Sequence, residues 1–246
     1  MSWILTYTGK HFNYADPNLD SITLIDIAHH LSQINRFGGA THWPYSVAQH
    51  SIGASYLVPA EFALEALMHD AHEAYVTDMM SPLKALLPDY KAYEKRIEEM
   101  VRLKFDLPLE ISPEVKSADL VMLATEKVAL LPADTCKWPC LEGIAPSDRV
   151  IIPMNSAEAE RQFIERFHEL TAGRYVTVDY EGFPIYQGPP AENILKAENA
   201  TQSLTLRNIT RALALPGKKS ISAEVIDLFN ALTAENKELR VLAGKN

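Results

Sequence analysis

From Ile22 to Ile34 the apolar residues Ile22, Ile25, Ala28, Leu31 and Ile34 recur every three positions, the spacing of one face of an amphipathic helix. Ahead of that helix the pattern is different. Ile4 to Thr8 and His11 to Tyr14 are rich in β-branched and aromatic residues and flank Gly9-Lys10, which predicts a short β-hairpin that Asp16-Pro17-Asn18 ends. Beyond it the pattern stays helical. Gly38-Gly39 close the first helix, Ser46 is placed to cap a second through about Leu57, and Pro59 opens a third that runs through His69-Asp70 to about Val76. Tyr90, Tyr93, Ile97, Val101 and Phe105 mark another apolar face. Ser112-Pro113-Glu114 offers an oxygen cap, a proline in the first turn and early negative charge for a helix to about Leu131. A proline- and aspartate-rich loop from Pro132 to Pro153 leads to a last core helix, capped near Asn155 or Ser156 and carrying Phe163, Phe167 and Leu170.

The character changes at Gly173. Tyr175 to Tyr180, a Glu181-Gly182 turn and Phe183 to Tyr186 predict a second hairpin, followed by the loop Gly188-Pro189-Pro190. Ile221, Val225, Leu228, Leu232, Glu235, Leu239 and Leu242 then alternate in steps of four and three, the seam of a helix that zips to a second copy or packs on its own domain. The expected organisation is a mainly α domain over residues 1–174 and an extension of hairpin, loop and amphipathic helix over residues 175–246.

Composition narrows the classes. Of 246 residues, 47% are hydrophobic and 22% charged, which fits a globular domain and argues against disorder. No apolar run reaches the roughly 18 residues of a spanning helix, and the first residues lack a secretory pattern, so a cytoplasmic protein is expected. The net charge of −9 argues against duplex nucleic acid, which needs a broad positive face, and leaves a small anionic ligand held locally. Cys136 and Cys140 lack the further Cys or His of a zinc set and read as ordinary thiols. The histidines are informative, because seven of eight lie in the first 72 residues.

On a continuous helix from Pro59, a step of about 100° per residue gathers His69, Asp70 and Glu73 into one polar sector opposite Leu67 and Ala71, with His72 at its border. His50 sits in an otherwise apolar-faced helix, and Asp119 lies among Val115, Met122 and Leu123, where an unpaired carboxylate is expensive to bury. Two imidazoles and two carboxylates suit one divalent ion, although a His-carboxylate contact also serves as a structural hydrogen bond. His29, His30 and His42 read as surface or hydrogen-bonded histidines.

The order His50, His69-Asp70, Asp119, with Glu73 three residues past the His-Asp pair, resembles the HD-domain metal-dependent phosphohydrolases, an all-helical family. The likeness extends to Arg36-Phe37, Tyr45-Ser46-Val47-Ala48-Gln49-His50, His69-Asp70-Ala71-His72-Glu73, Thr77-Asp78-Met79-Met80-Ser81-Pro82-Leu83-Lys84 and Lys116-Ser117-Ala118-Asp119. These blocks follow in the order seen in bacterial HD 5′-deoxynucleotidases and in phage-type HD enzymes that hydrolyse deoxynucleoside triphosphates, notably dATP. The resemblance implies a helical HD bundle in which His50, His69, Asp70 and Asp119 hold one transition metal ion (Mn, Co, Zn, Ni or Fe), with Mg²⁺ accompanying the substrate phosphates. It implies that Glu73 orients or deprotonates the attacking water and that Asp78 lies near the leaving nucleoside oxygen or the sugar. Arg36, Lys84 and Lys116 would bind phosphate, and Phe37 would face the base. Between the His-Asp pair and Asp119 only His72 stands out as a ligand for a second ion, so a single ion is expected.

The implied reaction is attack on the α-phosphorus of a deoxynucleoside triphosphate, dATP above others, giving deoxynucleoside and triphosphate in a bacterial or phage-infected cytoplasm. A 5′-deoxynucleotidase would use the same chemistry. A homo-oligomer, joined through the C-terminal helix, is expected. A non-catalytic nucleotide sensor whose C-terminal helix engages a partner is the rival of a different class.

Overall fold

A computed structural model describes residues 1–171; the second hairpin, the four-three seam and the whole extension over 175–246 lie outside the described residues. The described part is mainly helical, with one small antiparallel hairpin at its N-terminus. In that hairpin β1 (Trp3–Leu5) pairs with β2 (His11–Asn13), Ile4 opposite Phe12, and Gly9 adopts the positive φ the turn requires. Phe12 is fully buried and stacks on Tyr75 with ring centroids 4.4 Å apart. Asp26 fastens the turn to the first helix: its carboxylate accepts from Thr8 N at 2.7 Å, Thr8 Oγ1 at 2.8 Å and Thr23 Oγ1 at 2.7 Å.

Helix α1 (Leu24–Gln33) is capped by Thr23 and buries Leu24, Ile27, Ala28 and Leu31. Its inner face therefore follows the i, i+3, i+4, i+7 rule of the 3.6-residue turn. Ile25, expected on that face, is only half-buried, and Ile22 enters the core ahead of the cap. The helix also stops earlier than Gly38-Gly39. Ile34 and Asn35 are extended, with Val47 N donating to Ile34 O at 3.0 Å and Arg36 N to Tyr45 O at 2.9 Å. Arg36–Gly39 then forms a tight turn in which Phe37 and Gly38 are both left-handed.

Helix α2 (Val47–Ser55) starts at a reciprocal cap between Ser46 and Gln49 and is buried along its whole length. Small residues make that possible: a Cβ on Gly53 would stand 2.9 Å from the Met122 methyl. Pro59 precedes only a single 3-10 turn, Ala60–Phe62, after which come α3 (Ala63–Met68) and α4 (Glu73–Val76). The continuous α-helix expected from Pro59 to Val76 is thus not formed. Between α3 and α4 the winding tightens, with Ala71 N donating to Met68 O, Glu73 N to Asp70 O and Tyr75 N to His72 O, each spanning three residues. The His69 ring supplies a reason: its Nδ1 bonds Ala66 O at 2.7 Å and so competes for the acceptor an α-helix would offer to Asp70 N. Thr77 ends α4 at φ 69, ψ 159, a region essentially reserved for glycine. Tyr90 Oη holds it there, donating to Val76 O at 2.9 Å and Thr77 O at 3.1 Å.

After the short α5 (Ser81–Lys84) come α6 (Pro88–Lys104), α7 (Pro113–Leu130) and α8 (Ser156–Thr171), the last capped by Asn155 through Glu158 N at 2.9 Å. Ile97 and Val101 from α6, and Phe163 and Phe167 from α8, join Leu31 and Leu67 in one core; each such side chain contributes about 1.5–3 kcal/mol on burial. Ser112 does not cap α7. Instead Ser112 Oγ and N donate to Glu65 on α3 at 2.5 and 2.9 Å, and Arg102 donates to the same carboxylate at 2.6 Å. No helix among the described residues is long and apolar enough to cross a membrane. Cys136 and Cys140 are exposed free thiols.

Candidate metal centre

The predicted ligands come from three elements that the packing brings to one point. Fully buried α2 carries His50, the tightened turn after α3 carries His69 and Asp70, and the middle of α7 carries Asp119. His50 Nε2 lies 3.3 Å from His69 Nε2 and 3.1 Å from Asp119 Oδ1; Asp70 Oδ2 lies 3.2 Å from His69 Nε2 and 3.6 Å from His50 Nε2. Asp119, with its side chain 41% exposed, faces solvent at the edge of the group.

Outer partners fix both rings. His50 Nδ1 meets Glu126 Oε1 at 2.6 Å, and His69 Nδ1 meets Ala66 O at 2.7 Å. Carboxylate and carbonyl oxygens only accept, so each Nδ1 must carry the proton. In the neutral rings the two Nε2 lone pairs therefore point into one small space, facing each other and two carboxylates. Such a group could hold a cation. A first-row divalent ion with donors at about 2.1 Å would set neighbouring donors about 3 Å apart, close to the separations seen here. The donor set, two imidazoles and two carboxylates with each imidazole oriented from behind, fits that ion.

Electrostatics favour positive charge at this point. Burial and Arg36 push His50 down, but Glu126 and Asp119 outweigh them and raise it; burial likewise opposes His69, yet Asp70 and Asp119 raise it well above the ordinary range. Burial works against ionised Asp119 too, and the two histidines nevertheless hold it well below its usual value.

The other predicted residues take varied places. Glu73 opens α4 and is buried, with Oε2 lacking any hydrogen-bond partner; burial, then Asp70 and Asp78, push its carboxyl well up. Asp78 is half-buried and raised by burial, with Arg36, Asp70, His50 and Lys84 as its electrostatic neighbours. Arg36 is buried and committed: it reaches Glu126 Oε2 at 3.1 Å and Asp70 Oδ2 at 3.6 Å. Lys84 pairs with Glu94 at 2.6 Å. Lys116 is exposed, one turn before Asp119 on α7. Phe37 is half-buried, its ring 6.4 Å from that of Trp138 and 5.4 Å from the Arg36 guanidinium carbon.

The chain is 51% identical to the uncharacterized protein YfdR of Escherichia coli K12 over 172 residues, 70% of this chain and 97% of that protein. It belongs to the same family as YfdR. An uncharacterized protein of Rhodobacter capsulatus, RCAP_rcc00048, is 33% identical over 144 residues, 52% of this chain and 74% of that one. No protein-family model matches the chain.

Two residues of this YfdR-family site escaped the sequence reading. Glu126 is fully buried beneath His50 and Arg36, and a signal existed: it lies seven residues after Asp119, two turns along the same face of α7. Glu94 on α6 is buried beside Lys84 and His72, and a signal existed there too: it lies four residues after Tyr90 and three before Ile97, an acid on the apolar face of that helix. His29 and His30 are hydrogen-bonded as expected, His29 to Glu160 at 2.9 Å and His30 to Ala74 O at 2.8 Å.

Proposed function

We propose that this protein is a divalent-metal-dependent phosphohydrolase of deoxynucleotides, acting on a deoxynucleoside triphosphate, dATP above others, to give deoxynucleoside and triphosphate. The observation that carries the reading is the pair of buried Nε2 atoms 3.3 Å apart, facing Asp70 and Asp119 while a buried carboxylate, Glu73, keeps a free oxygen close by in the chain. The match of sequence blocks to the HD phosphohydrolases supplies the substrate class.

In this reading His50, His69, Asp70 and Asp119 hold the ion. A divalent ion there supplies Lewis acidity toward a phosphoryl oxygen and toward water. Glu73, raised by burial and by Asp70 and Asp78, accepts the proton of the water that attacks the α-phosphorus. The bond from phosphorus to the nucleoside 5′-oxygen breaks, and Asp78, also raised by burial, stands as the acid for that oxygen. Lys116 and a Lys84 released from Glu94 take phosphate charge, while Arg36 steadies Glu126 and Asp70.

One observation favours a second substrate. Arg36 is tied to Glu126 and Asp70, and Lys84 to Glu94, so few uncommitted cations remain for β- and γ-phosphates, and a 5′-deoxynucleotidase needs fewer. A panel of deoxy- and ribonucleoside mono-, di- and triphosphates with Mn²⁺, Co²⁺, Zn²⁺ and Mg²⁺ separates the two. Intact triphosphate as product is the expected result. Orthophosphate from monophosphates alone establishes the nucleotidase, and nucleotide binding without turnover establishes a sensor. Glu73→Ala should keep the ion held by His50, His69, Asp70 and Asp119 and keep nucleotide, while turnover falls about 10²–10⁴-fold, measured at saturating substrate.

A further inference from the structure

The sequence His69-Asp70-Ala71-His72-Glu73 holds the pair His-acid twice, three residues apart. Because hydrogen bonds here span three residues, positions i and i+3 eclipse, and the second pair comes to lie beneath the first, about 6 Å further along the axis. The first pair belongs to the metal centre. The second has a third member from elsewhere: Glu94 of α6, so that His72, Glu73 and Glu94 bring one potential ligand atom each to within 4.8 Å of one another, all three residues buried.

This second group is incompletely satisfied. His72 Nδ1 and Glu73 Oε2 are buried with no hydrogen-bond partner, and His72 Nε2 stops 3.7 Å short of Glu94 Oε1, beyond hydrogen-bond length. Leaving such atoms unpaired inside a protein is unfavourable, and a bound cation is one remedy. Charge points the same way. Asp70, Asp119, Glu126, Glu73, Asp78 and Glu94 are six carboxylates grouped about two fixed cations, Arg36 and Lys84. The cation now nearest is the Lys84 ammonium, 2.6 Å from Glu94 Oε1, on the four-residue helix α5 with its side chain 23% exposed. A pair so placed is readily exchanged.

We infer that His72, Glu73 and Glu94 form a second, weaker divalent-cation site, for which the Lys84 ammonium competes. The inference is independent of the reaction and stands whether or not the chain hydrolyses nucleotides. The full chain should bind two Mn²⁺ ions, one tight and one weak, in equilibrium dialysis with the free ion followed by its paramagnetic resonance. Asp119→Ala should lose the tight ion and keep the weak one, and Glu94→Gln the reverse. Lys84→Ala, a change at a partly exposed side chain that leaves the core intact, should strengthen the weak site by about tenfold by removing the competing charge. A single ion at saturating Mn²⁺ in both wild type and Lys84→Ala overturns the inference. So does a weak site whose affinity Glu94→Gln leaves unchanged in a protein of native circular dichroism.

Discussion

Two buried polar clusters join α3 and its following turn to the region of α7, and they differ in how their charges balance. In one, Glu65 accepts from Arg102 at 2.6 Å and from Ser112 Oγ and N, so that a single negative charge meets a single positive charge and both carboxylate oxygens are engaged. In the other, His50, His69, Asp70 and Asp119 aim lone pairs and negative charge at one shared point, with Glu126 behind adding more. Burial and linkage are common to both. Charge balance separates them: the matched cluster fixes where α7 begins, while the unmatched one could hold a cation.

Breaking each cluster should have opposite effects. Asp70→Asn takes one negative charge out of the unmatched group; it should abolish metal retention and lower turnover by about 10³-fold or more, while the chelated protein melts within a few degrees of wild type. Metal analysis beside calorimetry checks both halves. Glu65→Gln strands Arg102 without its counter-charge at a position 1% exposed, and should destabilise by about 3–5 kcal/mol, seen as a fall of about 10 °C in Tm, with metal per folded chain unchanged. Glu126→Gln should weaken metal affinity by about 10–100-fold through loss of the hydrogen bond that orients His50. The smallest effect is in the pH profile. Asp119 and Glu126 are held low, so their stabilisation is present above the unfolded carboxylate range and lost as pH falls through their folded values. His50 and His69 are raised, so theirs is present below the unfolded histidine value and lost as pH rises through the folded one. A chelated sample should therefore melt highest between about pH 4 and 6.5, and added Mn²⁺, which needs neutral imidazoles, should raise Tm more at pH 8 than at pH 6. A metal increment that shrinks with pH would place the cation elsewhere.

The same contrast shows what was legible in the chain. His50 and Asp119 could be read because each sits in a local setting that imidazole or charge does not suit, His50 among small buried residues and Asp119 beside Val115 and Met122, whereas the polar sector of His69, Asp70 and Glu73 presumes a continuous helix that does not form. The helices at Ser46, Ser112 and Asn155 start where their caps and prolines suggested. Hidden were features created by distant partners. The turn at His69 tightens because a ring competes for a carbonyl, which no tally of propensities contains. Ser112 leaves its own helix uncapped to serve Glu65, forty-seven residues earlier. Arg36 meets Glu126, ninety residues on, a contact that nothing local to either residue announces.

Thr77 carries a mechanical implication. Its backbone sits in a region that costs about 1–3 kcal/mol for a residue with a side chain, and the Tyr90 hydroxyl, gripping the carbonyls of Val76 and Thr77, keeps it there. The joint is thus preloaded like a bent spring under a clasp. Glu73 lies on one side of it and Asp78 on the other, so the separation of these two carboxylates is set by backbone tension, and a phenolic oxygen on α6 becomes the pin that holds the gauge.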